Sequence, residues 1–145
     1  MTRFKGTKKE IETLGAFVKL MRASESVSAD VHSPLSEIGL TISQFGVLEA
    51  LYHLGPLCQK ELAEKILKSS GNMTMVVGNL EKRGLLTRKR SDEDGRYFVI
   101  TLSDKGKDLI KAIFPDHVQR ISERMSRLSA DEIEIFSSLC KKLGR

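Results

Sequence analysis

The sequence is poor in the residues that build covalent or metal-held frameworks, with no tryptophan, two cysteines and three prolines in 145 residues. Because Cys58 and Cys140 form no CxxC motif and no disulfide framework, a reducing cytosol is the expected compartment. No apolar run approaches the roughly 18 residues of a membrane span, and the polar first residues lack a signal-peptide core. With 40% hydrophobic and 30% charged residues, the chain is expected to form a single domain over residues 1–145.

Signatures of catalysis and metal binding are also missing. The sequence has no Walker loop, no GxGxxG segment and no Ser/His/Asp order with a nucleophile elbow, so we expect neither an enzyme nor a bound cofactor. His32, His53 and His117 are scattered, without an i, i+4 pair or a Cys/His cluster, and no metal site is predicted.

Positive charge is concentrated in one part of the chain. The net charge is +5, and residues 57–90 contain eight basic against three acidic residues, which accounts for the whole excess. The basic residues of this window are Lys60, Lys65, Lys68, Lys82, Arg83, Arg88, Lys89 and Arg90. A local basic surface favours binding to a polyanion such as nucleic acid.

Apolar residues at spacings of three and four predict helices along most of the chain. The predicted helices run from Lys8 towards Pro34, from a cap at Thr41 to about His53, from a cap at Cys58 to about Leu67, from Ser70 to Arg83, from a cap at Ser103 through Met125, and from a cap at Ser129 to about Leu143. Thr41 with Gln44 and Ser129 with Glu132 have the spacing of a capping box. Pro115 predicts a kink or a break in the fifth helix.

Two β-rich runs follow the fourth helix. Residues 85–90 and 97–102 flank a polar turn that contains Asp94-Gly95, and this pattern predicts a hairpin. Three short helices and then a hairpin are typical of a winged helix-turn-helix, whose second motif helix lies in the DNA major groove. The expected fold is therefore mostly α with a small β-hairpin. Residues 38–102 would bind DNA, and residues 8–33 and 103–145 would form a helical dimerisation region.

Several motifs resemble those of the multiple antibiotic resistance regulator (MarR) family, in the family's order. They are Gly39-Leu40-Thr41 with Gln44, Leu62-Ala63, Thr74, residues 80–85 (LEKRGL), residues 92–96 (DEDGR) and residues 102–106 (LSDKG). The resemblance implies a homodimeric DNA-binding transcriptional regulator, often a repressor, that a small molecule often releases. Two-fold symmetry then predicts a pseudo-palindromic operator with half-sites about one helical turn apart.

The fourth helix is the predicted recognition helix. Its apolar residues should face inward, which leaves a polar face for base edges: Ser70, Asn72, Thr74, Met75 and Asn79. Asn can bind adenine bidentately, Ser and Thr suit either base type, and Met can contact the thymine methyl. No Arg or Lys lies in the first half of this helix, so guanine should be read sparsely. The alternative is an ordinary surface helix.

The turn of the hairpin is the predicted wing tip. In the family, the spacing of Asp94 and Arg96 puts the Arg in the minor groove, held by the Asp. The enhanced negative potential of a narrow minor groove attracts Arg. Arg88, Lys89 and Arg90 on the preceding strand suit phosphate contacts. The alternative is a solvated hairpin with a weak surface ion pair.

Apolar stripes on the terminal helices predict an obligate homodimer, because a small winged core cannot cover them. They are Ile11, Leu14, Val18 and Met21 in the first helix, and Ile121, Met125, Phe136, Leu139 and Leu143 in the last two. The resemblance also implies an aromatic or phenolic effector between the winged region and the dimer helices. The candidate lining residues are Tyr52, His53, Phe114 and His117.

Other interpretations stay open at this point. One branch of the family senses peroxide through a cysteine near the start of the chain, where this sequence has none; Cys58 precedes a helix whose dipole could lower the thiol pKa, and Cys140 is expected in the core. The protein could also bind DNA nonspecifically as an architectural protein, or use the basic wing to bind an acidic protein partner.

Overall fold

The structure is a computed structural model that describes residues 3–66 and 70–144, with only the backbone described at residues 70 and 71. The described residues form six α-helices and three short strands in the order α1 (Lys8–Val31), α2 (Ile42–Leu54), β1 (Leu57–Cys58), α3 (Gln59–Ile66), α4 (Ser70–Lys82), β2 (Leu86–Arg90), β3 (Phe98–Leu102), α5 (Asp104–Met125) and α6 (Ala130–Leu143). A 3-10 turn, Ser33–Ile38, joins α1 to α2. The mostly helical fold with its hairpin confirms the expected class. Leu67, the predicted end of the third helix, and the basic residue Lys68 lie outside the described residues.

Side-chain caps define where several helices begin. Both predicted capping boxes are present, at Thr41 with Gln44 and at Ser129 with Glu132. Thr7 and Glu10 form a third box at the start of α1. Each box satisfies two backbone amides that the first helical turn leaves without a partner.

Two residues from the turn before α3 extend the hairpin into a three-stranded antiparallel sheet in the order β1-β3-β2. In β1, Leu57 pairs with Ile100 and Cys58 pairs with Val99. The prediction that the cap position of α3 falls on Cys58 is confirmed, since α3 begins at the next residue, and Cys58 is at the same time the second residue of β1. Its amide donates to Glu61 Oε1 at 3.0 Å, so only the carboxylate half of a capping box is formed.

The chain divides into two compact units, of which Pro34–Val118 is the winged unit. Its core consists of apolar side chains from the helices and the sheet, with Phe45, Leu48, Leu62, Met73, Leu80 and Ile100 essentially inaccessible to solvent. The burial of Met73, Val77 and Leu80 fixes which face of α4 points outward.

The terminal unit contains the chain up to Ser33 and from Gln119 onward. Within it, Arg124 Nη1 contacts Asp30 Oδ2 at 3.0 Å, and Arg124 Nη2 also donates to Ser26 Oγ. The helix α6 has no buried residue. The expectation that Cys140 is a core residue is therefore wrong for the single chain, because this thiol is exposed on α6.

The helix α5 runs without interruption through Pro115, so the helix is not broken there. A proline removes one backbone hydrogen bond and crowds the preceding turn. Ile110 and His117, both buried in the winged unit on either side of Pro115, hold the helix in place. Within the described residues, no helix is long and apolar enough to cross a membrane.

Candidate nucleic-acid interface

The outward face of α4 carries the predicted base-reading residues. Asn72, Thr74, Met75 and Asn79 are all exposed, and the Met75 side chain is 62% accessible. Ser70 is the first residue of α4, and its side chain lies outside the described part of the chain. The helix therefore offers amide, hydroxyl and thioether groups on one face, which is the chemistry that base edges bind.

A side chain from α3 reaches this face. Gln59 Nε2 donates a hydrogen bond to Thr74 Oγ1 at 2.6 Å. Gln59 is the first residue of α3, so the bond joins the two helices of the motif. Sequence reasoning missed Gln59 as a site residue, because no motif spacing reports a contact between residues so far apart in the chain.

The end of α4 is tied to two other segments of the winged unit. Arg83 Nη1 donates to the carbonyl oxygen of Gly39 at 2.7 Å, and Lys105 Nζ donates to the carbonyl oxygen of Arg83 at 3.0 Å. Ser103 Oγ donates to the Gly84 carbonyl at 2.6 Å and accepts from the Gly106 amide at 3.0 Å. These bonds satisfy carbonyl groups at the helix terminus and fix its position against the start of α5.

The wing tip is organised around Asp94 and Arg96. Arg96 Nε lies 3.0 Å from Asp94 Oδ1, and Arg96 Nη2 lies 2.8 Å from Asp94 Oδ2. The Arg96 amide also donates to Asp94 Oδ1 at 3.1 Å, and the Tyr97 amide donates to the Asp94 carbonyl. The two-pronged contact holds the guanidinium in one geometry while its side chain stays 82% exposed.

The charges at the wing tip stabilise each other. Hydrogen bonds from the side chain and then the backbone amide of Arg96 hold the pKa of Asp94 below its ordinary value. The same contact raises the pKa of the Arg96 guanidinium. Both groups are thus charged at neutral pH.

The three basic residues of β2 have different surroundings. Arg88 contacts the Glu81 carboxylate at 3.2 Å and lies over the Phe98 ring, 5.6 Å from its centroid. Arg90 donates to the Gly95 carbonyl and lies 5.1 Å from the same centroid. Lys89 is exposed. Two of these bases therefore brace the wing in addition to adding positive charge.

The four residues predicted to line an effector pocket lie close together. Ring centroids are 5.1 Å apart for Tyr52 and His53, 4.7 Å for His53 and Phe114, and 6.1 Å for Phe114 and His117. His117 is buried and also lies 4.6 Å from the Phe45 ring. A groove of about 340 Å³ between α2 and α3 reaches His53 and is lined also by Lys65.

The other candidate sites are a metal centre and the cysteine near α3. Among the described residues, no three His, Cys, Asp or Glu side chains are grouped as a metal site. Cys58 is a free, half-buried thiol beside the start of α3.

The two-helix motif with its outward polar face and its charged wing defines a winged helix-turn-helix protein of the DNA-binding class. The sequence pattern of the MarR family matches residues 38–96. The chain is 38% identical over 133 residues to the HTH-type transcriptional regulator MhqR of Bacillus subtilis strain 168, covering 92% of each chain. The protein belongs to the MarR family of transcriptional regulators.

Solved structures agree with this fold. The transcriptional repressor CouR bound to a 23-mer DNA duplex has a TM-score of 0.81 at 26% identity, covering 98% of this chain and 100% of that chain. The structure of NadR in complex with 4-hydroxyphenylacetate has a TM-score of 0.76 at 21% identity, covering 100% of this chain and 98% of the other.

Proposed function

We propose that the protein is a repressor that binds a pseudo-palindromic DNA operator as a homodimer and is released by a small aromatic or phenolic effector. The observation that carries the proposal is the wing tip, where Asp94 holds an exposed Arg96 in one geometry. A surface ion pair contributes little to stability, so the arrangement gains its value when the guanidinium enters a narrow minor groove.

In this complex α4 lies in the major groove. Asn72 and Asn79 suit adenine, Thr74 offers a hydroxyl and a methyl group, and Met75 offers an apolar contact for the thymine methyl. Ser70 at the helix start completes the proposed set. Because the described outward side chains of the first half of α4 are uncharged, the operator should be rich in A·T pairs at the positions that this helix reads.

The wing contributes the minor-groove and phosphate contacts. Arg96 is the minor-groove residue, Asp94 positions it, and Lys89 is exposed for a phosphate. Arg88 and Arg90 contribute positive charge beside the duplex while they support the wing through Phe98. Phosphate contacts of this kind orient a protein on DNA, whereas the bases read by α4 give specificity.

The homodimer is supported by apolar side chains that the single chain leaves accessible. On α6, Phe136 is 43%, Leu139 58% and Leu143 69% exposed. On α1, Leu14 and Met21 are exposed as well. Contiguous apolar positions on this scale favour burial against a second copy, which also supplies the second half-site reader.

The effector proposal is supported by the cluster of Tyr52, His53, Phe114 and His117. Aromatic rings and imidazoles together bind a phenol through ring packing and a hydrogen bond. The nearby Lys65 suits a carboxylate on the same molecule. NadR, which shares the fold, has been crystallised with 4-hydroxyphenylacetate, an aromatic acid of this type.

The test is selection of bound duplexes from a random DNA pool, followed by gel shifts with competitor DNA and titration with phenolic acids. We expect an enriched pseudo-palindrome and release of DNA by an aromatic acid that also raises the melting temperature of the free protein. Binding to DNA without any palindrome preference would indicate a nonspecific or architectural DNA binder. No binding to DNA at all would favour the alternative of an acidic protein partner. Effector and DNA must weaken each other's binding by the same factor.

A further inference from the structure

The hydrogen bond between Gln59 and Thr74 links a residue outside the recognition helix to its outward face. The donor is Gln59 Nε2, the acceptor is Thr74 Oγ1, and the distance is 2.6 Å. Gln59 is half-buried at the first position of α3, and Thr74 is exposed one turn into α4.

The packing of the two helices does not depend on this bond. Leu62 and Ala63 of α3 and Met73 and Val77 of α4 are buried and already set the position of the helices. A surface hydrogen bond between neutral side chains replaces a bond to water, so its net effect on folding is small. Its main consequence is the orientation of the two side chains.

Orientation matters at Thr74 because threonine carries a hydroxyl and a methyl group on the same carbon. The hydroxyl suits polar base edges, whereas the methyl suits the thymine methyl, so the χ1 rotamer decides which chemistry faces the DNA. A hydroxyl that accepts from Gln59 favours one rotamer. The free protein then presents one surface to the groove more often than the other, and less rotamer entropy is lost when DNA binds.

We propose that Gln59 is a positioning residue for sequence reading, which sets the base preference of Thr74 through this hydrogen bond. The proposal rests on the proposed function in one respect, namely that α4 enters the major groove. Gln59 itself need not contact a base.

The experiment compares four proteins on the selected operator and on its single base-pair replacements: wild type, Gln59→Met, Thr74→Ala and the double variant. Methionine keeps the side-chain length and removes the hydrogen-bonding groups. We expect Gln59→Met and Thr74→Ala to relax preference at the same base pair, by about fivefold or more. The double variant should be no worse than Thr74→Ala alone, because the two residues act as a unit.

Lys60→Met is the matched control, since it makes the same replacement one residue further along α3. It removes a cation, so its affinity should fall evenly for every duplex and leave base preferences unchanged. Melting temperatures of all variants should stay close to the wild-type value.

The inference is overturned if Gln59→Met lowers the affinity for every duplex by the same factor, or if it changes the preference at a different base pair. It is also overturned if the losses of preference caused by Gln59→Met and Thr74→Ala multiply in the double variant. It is also overturned if Gln59→Met keeps every preference of the wild type while Thr74→Ala loses one. A wild-type protein that enriches no sequence overturns the proposed function, and this inference with it. The two failures are therefore distinguishable.

Discussion

At the scale of single residues, Arg96 has the most direct proposed role in DNA binding. We expect Arg96→Ala to weaken operator binding strongly and to leave the fold intact, because its exposed side chain contacts the protein through Asp94 and Tyr97 at the wing tip. The free energy of unfolding should change by less than about 0.5 kcal/mol. The salt dependence of binding should also become less steep, by about 0.9 in slope for each phosphate no longer neutralised. Titrations at several salt concentrations, with melting curves, measure both quantities.

Two companion variants separate charge from geometry at the same position. Arg96→Lys keeps the cation but loses the planar two-pronged contact, so its affinity should lie between those of wild type and Arg96→Ala. Asp94→Ala should cost less than Arg96→Ala, because it only frees the guanidinium. Wild-type affinity in Arg96→Ala would contradict the wing assignment, and so would a markedly lower melting temperature.

The Asp94 carboxyl gives an independent test of the pair in the free protein. Its pKa is lowered by hydrogen bonds from Arg96, first from the side chain and then from the backbone amide. Removing the guanidinium in Arg96→Ala should raise the pKa of Asp94 part of the way to its ordinary value, because the amide donor stays. A carboxyl with a lowered pKa stabilises the fold above its ordinary pKa, and this contribution is lost as the pH falls through the lowered value. A carbon NMR titration of Asp94 that is identical in both proteins would contradict the pairing.

At the scale of elements, replacing a helical glycine by alanine should have opposite effects on stability at two positions. A Cβ added to Gly106 would lie 2.0 Å from the carbonyl oxygen of Leu85, whereas one added to Gly78 in α4 would meet no atom of the described residues within 4 Å. Gly106→Ala should therefore destabilise the protein by roughly 1–3 kcal/mol or more. Gly78→Ala should stabilise it by up to about 1 kcal/mol, since alanine is the better helix former. Urea unfolding of both variants provides the comparison, and effects of the same sign would contradict it.

Local chemistry explains which elements the sequence could predict. Capping boxes, the glycine after α4 and the turn around Asp94-Gly95 are short-range signals, so the helix starts and the hairpin follow from them. The strand β1 could not be predicted, because two residues are too short to show an alternation of apolar and polar side chains. They form a strand through their pairing with β3, which is distant in the sequence. The position of Cys140 could not be predicted either, since an apolar helix face does not say whether it is covered within its own chain.

At the scale of the whole molecule, the exposed apolar face of α6 predicts a stable dimer. Leu139→Glu places a charge on that face, and burying it against a second copy would be costly. We expect this variant to sediment as a monomer at micromolar concentration and to bind the operator about a hundredfold more weakly, because the two half-site contacts are no longer linked. Ser138→Glu introduces the same charge on the polar side of α6 and should remain dimeric. A monomeric wild type, or a dimeric Leu139→Glu, would contradict the assignment.

The sequence predicted most residues of the candidate site but not the contacts that hold them together. The outward residues of α4 and the Asp94–Arg96 pair follow from helical periodicity and from a two-residue spacing. The bond from Gln59 to Thr74, the contact of Arg83 with Gly39 and the packing of Arg88 and Arg90 on Phe98 depend on tertiary structure. No local pattern encodes them.

The composition of the wing tip has a consequence for DNA that is not the operator. Residues 91–96 contain three acids and one base, so the tip as a whole is negatively charged. In the proposed complex only the Arg96 guanidinium gains from the negative potential of a narrow minor groove, whereas the three carboxylates oppose close approach to any phosphate backbone. The wing tip therefore adds little to the binding of ordinary duplex, and the general attraction to DNA comes from the exposed basic residues of β2 instead.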